Sequence, residues 1–195
     1  MNKPLPSATA QMLLGFGDDI PTERLFFAVM PDAHTAARII ELAAGLCEEH
    51  GLVGKLLHRD RLHVTLHHVG DFAGIPPALL ARVQQAAGRV RMPAFEVCFD
   101  QVGSFAGRRQ NPFVLRGESG VEHLHSLQQA LARSLQGVGG KPGHAFTPHM
   151  TLLYDQRHLP LQPVQPLRWH VGEFLLVRSF LGQTRYQLEG RWQLG

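Results

Sequence analysis

Two copies of one short pattern, His63-Val64-Thr65 and His149-Met150-Thr151, are the residues of this chain whose types and spacing could do chemistry. With 12 His and 7 Thr in 195 residues, about 0.4 copies are expected by chance, so a single copy would carry little weight. Two copies, each followed by Leu (Leu66, Leu152), carry far more. Imidazole titrates near neutrality and can take or give a proton there. In-line displacement at phosphorus needs both acts: one group draws a proton from the attacking water and another delivers one to the departing oxygen. A Thr hydroxyl two residues along a strand projects on the same face and can donate to non-bridging phosphate oxygens as charge builds.

The same residues have other uses. They could grip phosphate without turning it over, in a non-catalytic RNA- or nucleotide-binding module, or they could ligate a metal in a hydrolase. His67-His68 and His123-x-His125 are further histidines for the metal reading, but a two-residue spacing on a helix points the rings to different sides. No metal and no cofactor is assigned.

The elements that must position these residues can be read from periodicity. Residues 1–22 are rich in Pro, Gly, Ser and Asp and are read as a flexible leader, with one domain over 23–195. Arg24 to Met30 reads as a buried strand in which Phe26 and Phe27 are core residues, one of them turned to the cleft. Asp32 is the expected N-cap of a helix with apolar positions Ala36, Ile39, Ile40, Ala43, Leu46 and Cys47, stopped by Gly51. Leu62 to Val69 alternates, placing Leu62, Val64 and Leu66 on the buried face and His63, Thr65 and His67 on the other. On that pattern His68 points to the apolar side.

A second helix follows Pro76-Pro77, then a strand from Phe95 to Phe99. Pro112 to Leu115 is a short strand, Val121 to Leu135 a helix stopped by Gly137, and 137–142 a loop before the strand 146–154. The separation from Phe27 to His63 equals that from Phe113 to His149, 36 residues each (63 − 27 and 149 − 113), so a strand-helix-strand order repeats. The stretch with Pro160, Pro163 and Pro166 reads as a connection to two final strands, 168–178 and 184–194.

Composition bounds the rest. Hydrophobic content of 44% and charged content of 18% suit an ordinary globular domain. The formal charge of +3 and a pI near 9.2 are compatible with an anionic partner. Only Lys3, Lys55 and Lys141 are lysines among the 19 basic residues. Arg108-Arg109 and the group Lys55, Arg59, Arg61 could follow an RNA backbone or be solvated loop charges. The apolar run from Met12 to Phe16 is too short for a signal segment, and no run reaches membrane-spanning length. Cys47 and Cys98 form no disulfide or thiolate-metal pattern. The chain is therefore read as a cytoplasmic monomer without a membrane partner.

Arg24-Leu25-Phe26-Phe27-Ala28, Leu62-His63-Val64-Thr65-Leu66 and Pro148-His149-Met150-Thr151-Leu152 resemble the two-histidine phosphoesterase superfamily, in its bacterial RNA 2',3'-cyclic phosphodiesterase (2'-5' RNA ligase) branch. The resemblance runs from about Arg24 through Thr184-Arg185-Tyr186 and Arg191-Trp192. It implies an α+β, bilobal fold of two pseudo-symmetric antiparallel β-sheets backed by helices around a central cleft. It further implies metal-independent opening of a terminal 2',3'-cyclic phosphate of RNA to a 2'-phosphate, with reversible 2'-5' ligation as a companion activity. A small nucleotide cyclic phosphate is the alternative substrate.

By the resemblance His63 is the proton donor and His149 the proton acceptor, though the residues alone leave the two labels exchangeable. Thr65 and Thr151 bind phosphate, and Tyr154 and Phe27 are assigned to substrate binding. The chain departs from the family in His68 before Val69-Gly70 and in Tyr154, where many relatives carry Arg.

Overall fold

The computed structural model describes residues 20–138 and 145–195. The leader expected over 1–22 and the loop over 137–142 lie largely outside the described residues. Eight strands and three helices follow in the order β1 (Glu23–Val29), α1 (Ala33–His50), β2 (Val64–Phe72), α2 (Pro77–Ala87), β3 (Phe95–Ser104), β4 (Asn111–Arg116), α3 (Glu122–Ser134), β5 (His149–Asp155), β6 (Gln162–Val171), β7 (Glu173–Phe180) and β8 (Arg185–Gln193). All described strand pairings are antiparallel, and the class is α+β as expected.

The helix boundaries have local causes. The Asp32 carboxylate accepts from the Thr35 N–H at 2.9 Å and from the Thr35 hydroxyl at 2.8 Å, capping α1. Gly51 ends it in the left-handed region at φ 61°, which lacks the Cβ penalty other residues would meet. Pro77 opens α2 at a position whose N–H would have no helical partner. The apolar faces of the helices, including Ile39, Ala43, Val83, Leu124, Leu127 and Leu131, join one core with Leu25, Phe27, Phe99, Phe113, Leu115 and Phe174 from the strands.

The strands lie in the order β6-β3-β4-β5-β2-β1-β7-β8. Instead of two separate sheets, the structure has one eight-stranded sheet whose halves, β6-β3-β4-β5 and β2-β1-β7-β8, are joined at β2 and β5 by the single register pair Val64↔Met150. The halves correspond around the two motifs. Ala28 pairs with Thr65 and Phe27 with His67, leaving Leu66 as an extra residue. Val114 pairs with Thr151 and Phe113 with Leu153, leaving Leu152 extra. Each His-x-Thr strand thus carries a β-bulge at the Leu that follows the motif, which locally bends the strand and shifts the facing of later side chains.

Two expectations fail for reasons of sheet position. The Pro-rich stretch is not a connection: Pro163 and Pro166 lie within β6. That strand is at the edge and pairs only with β3, so its outward groups need no partner and Pro is tolerated. The expected strand 168–178 is broken at Gly172, where the chain leaves β6 in one half and enters β7 in the other.

Candidate active site

Val64 and Met150 are fully buried, so the alternation of a strand turns their neighbours to the opposite face. Extending the Val64↔Met150 register by one residue on each side sets His63 level with Thr151 and Thr65 level with His149. All four line a single cleft of about 610 Å³. The two motifs come together as expected, and each histidine stands beside the hydroxyl of the other motif as well as its own.

The two rings are held alike. His63 Nδ1 lies 2.7 Å from the carbonyl oxygen of Arg61, and His149 Nδ1 lies 2.7 Å from that of Thr147. A carbonyl only accepts, so Nδ1 carries the proton in both rings, leaving each Nε2 free to exchange a proton when the ring is neutral. Phe26 packs on His63 with centroids 5.0 Å apart, and Phe105 meets His149 edge-on at 4.9 Å. Burial pushes the His63 pKa below the ordinary imidazole value; the hydrogen bond to the Arg61 carbonyl opposes this, and the Arg61 guanidinium and the His149 ring add to it. His63 is therefore biased toward the neutral form in the unliganded site.

Charged groups form the walls. Arg24, from β1, makes a two-pronged pair with Asp71 (2.7 and 2.8 Å), and His68 Nε2 sits 2.9 Å from the same carboxylate. The Arg24 guanidinium, helped by His68, holds the Asp71 carboxyl down at about 2. Arg61 lies over the Tyr186 ring at 4.6 Å and reaches its hydroxyl at 3.4 Å. The turn between β7 and β8 closes the cleft with Leu181, Gly182 and Thr184. Thr184 holds φ 50°, a region costly for a residue with a branched Cβ.

Three expectations need correction. Phe27 is fully buried against Phe174 and Trp192 and does not reach the cleft; Phe26 occupies the place assigned to it. β1 is apolar on both faces, with Phe26 and Ala28 in a small second cluster beside Leu175 and Val177, so no alternation in the sequence marked which ring faces in. His67 and His68 exchange sides: the bulge at Leu66 sets His67 opposite Phe27, and His68 opposite Phe26 on the cleft wall. Tyr154, paired with Pro112 after the matching bulge at Leu152, lines the cleft and is 48% exposed.

His123 stacks on Phe95 and His125 meets Phe146, so that pair diverges. Among the described residues no cluster of three or more His, Cys, Asp or Glu converges, and no helix is long and apolar enough to cross a membrane. Of the basic residues singled out, Arg61 lines the cleft, Arg59 lies exposed near Asp60, and Arg108 and Arg109 are exposed between β3 and β4. Arg24 and Tyr186 stood in the segments that carry the resemblance, but only the paired strands bring them to the histidines.

Profile comparison assigns residues 31–180 to the 2'-5' RNA ligase superfamily, and the chain belongs to that family. Within it, the RNA 2',3'-cyclic phosphodiesterase of Escherichia coli (strain K12) is 31% identical over 183 residues, covering 88% of this chain and 97% of that protein. The structure of E. coli LigT complexed with ATP matches with a TM-score of 0.72 at 27% identity, covering 90% of this chain and 99% of that chain. LigT complexed with 3'-AMP matches at 0.71 and 27% identity, with the same coverage. A protein of Thermus thermophilus, TT0787, shares the fold, at 0.70 and 24% identity over 87% of this chain and 97% of that one.

Proposed function

We propose that this protein is a metal-independent RNA 2',3'-cyclic phosphodiesterase that opens the terminal cyclic phosphate to a 2'-phosphate. The observation that carries the reading is the matched pair of histidines in one cleft, each with Nδ1 tied to a carbonyl and Nε2 left for the reaction. Identity with the E. coli phosphodiesterase over nearly its whole length supports the substrate class.

Water attacks phosphorus opposite the 3'-oxygen. His149 takes the proton of that water at Nε2 as the new P–O bond forms. The P–O3' bond breaks, and His63, entering the step as imidazolium, delivers its Nε2 proton to O3'. Thr65 and Thr151 donate to the non-bridging oxygens, whose charge builds at the transition state. After product leaves, proton exchange with solvent restores the two rings.

Tyr154 lines the cleft three residues past Thr151 and contacts the terminal nucleotide, while Phe26 keeps the His63 ring in place. The acting unit is 23–195, as a cytoplasmic monomer whose partner is an RNA end. A 5'-hydroxyl entering in place of water gives the 2'-5' ligation reaction. The test is to incubate the protein with an oligonucleotide ending in 2',3'-cyclic phosphate and determine which oxygen keeps the phosphate. A 2'-phosphate is expected; a 3'-phosphate, or no opening, contradicts the proposal.

A further inference from the structure

A second cavity, of about 810 Å³, adjoins the cleft. Leu57, Arg61, Thr184 and Tyr186 line both, so the two spaces adjoin along a shared wall. The strained Thr184 stands in that wall. So does Arg61, whose Nε is buried without a hydrogen-bond partner among the described residues. A guanidinium in the lining of both cavities is suited to an anion that lies between them.

The second cavity has the make-up of a nucleotide site. Met30, Leu56 and Leu188 supply apolar surface, and Leu188 is left 48% exposed. Lys55 and Arg185 add positive charge. The lone carboxylate of the lining, Asp60, is already matched by His58 at 3.2 Å and Arg59 at 3.7 Å. Apolar surface takes a base and the cations take backbone phosphate, the combination that binds single strands without reading sequence.

We propose that this cavity holds the nucleotide immediately 5' of the cyclic-phosphate residue. Its base lies on Met30, Leu56 and Leu188, the phosphate joining the two nucleotides lies at Arg61, and Lys55 and Arg185 face the next phosphate. The inference rests on reading the cleft as a site for RNA ends, and it makes the protein a polynucleotide enzyme that prefers chains over mononucleotides.

The test compares a mononucleotide with a tetranucleotide, each ending in a 2'-phosphate for binding and in a 2',3'-cyclic phosphate for turnover. The proteins are the wild type, Lys55→Glu, Leu188→Asp and the double variant, whose altered side chains lie outside the first cavity and are exposed. The wild type is expected to bind the tetranucleotide about tenfold more tightly and to favour it in kcat/KM by a similar factor. The double variant loses that advantage while mononucleotide binding and turnover stay unchanged. Lys55→Ala makes the slope of log affinity against log salt shallower by about 0.7 for the tetranucleotide only. Equal affinity for both lengths in the wild type, or an advantage that survives the double variant, overturns the inference. A length advantage in binding with no turnover of either substrate supports the second site and strikes the phosphodiesterase reading instead.

Discussion

Val64 and Met150 face each other at the one register pair that joins the two halves of the sheet, and each is the central residue of a His-x-Thr motif. Their side chains are fully buried, so the core itself fixes the direction of the four polar residues around them. A shift of one residue at this pair would turn the motifs inward. Among the described residues β2 and β5 share no other register pair, and the cleft lined by both motifs lies where the halves meet.

Donor and acceptor can be separated by leaving-group chemistry. If His63 protonates the departing oxygen, a nucleotide ester with a nitrophenolate leaving group needs no acid. His63→Ala is expected to recover to within roughly tenfold of the wild-type rate on that substrate, and His149→Ala to stay impaired on both. Recovery of His149→Ala instead would exchange the two labels.

The pH profile has a defined asymmetry. The profile of kcat/KM reports the free enzyme, in which burial holds the His63 pKa below the ordinary 6.5. Turnover needs one ring protonated and the other neutral, so kcat/KM should rise and then fall with pH, and one of its two limbs should lie below the ordinary imidazole value. Bound phosphate favours imidazolium, so the basic limb of kcat should lie at higher pH than that of kcat/KM. Both limbs of kcat/KM at or above 6.5, or a monotonic rise, contradict the reading.

Phe26 and Phe27 should separate function from stability. Phe27→Ala empties a fully buried site among Phe174 and Trp192 and is expected to cost about 3–5 kcal/mol in denaturant unfolding. Phe26→Leu keeps an apolar side chain but removes the ring against His63, so turnover should drop with stability changed by less than about 1.5 kcal/mol. Equal behaviour of the two variants would contradict the facing described.

Asp71 ties Arg24 and His68 to the cleft wall, and its folded pKa of about 2 lies below the ordinary carboxylate value of 3.8. A lowered carboxylate pKa stabilises the fold above the unfolded value and is lost as pH falls through the folded one. The pair is partly exposed, so Asp71→Asn should cost about 1 kcal/mol at neutral pH. The difference from wild type should shrink as pH falls from about 4 toward 2, followed by thermal unfolding across that range. A difference independent of pH would mean Asp71 acts through packing alone.

Much of this architecture was legible because its signals are local. Asp32 and Gly51 bracket α1 in the chain as they do in space, and both motifs alternate against buried neighbours. What escaped reading is set between strands. The bulges at Leu66 and Leu152 depend on how many residues the partner strand supplies, and they decide that His68 and Tyr154 face the cleft. The Pro residues of β6 signal a break until its edge position is known. The Val64↔Met150 junction joins residues 86 positions apart (150 − 64), with no trace in either segment alone.

The central claim is that His63 and His149 together perform the proton transfers. It is tested most directly by the turnover of an RNA ending in 2',3'-cyclic phosphate by His63→Ala and His149→Ala, with circular dichroism confirming the fold. Each single variant is expected to lose roughly 10²- to 10⁴-fold in rate while remaining folded. A wild-type-like rate in either variant would contradict the account.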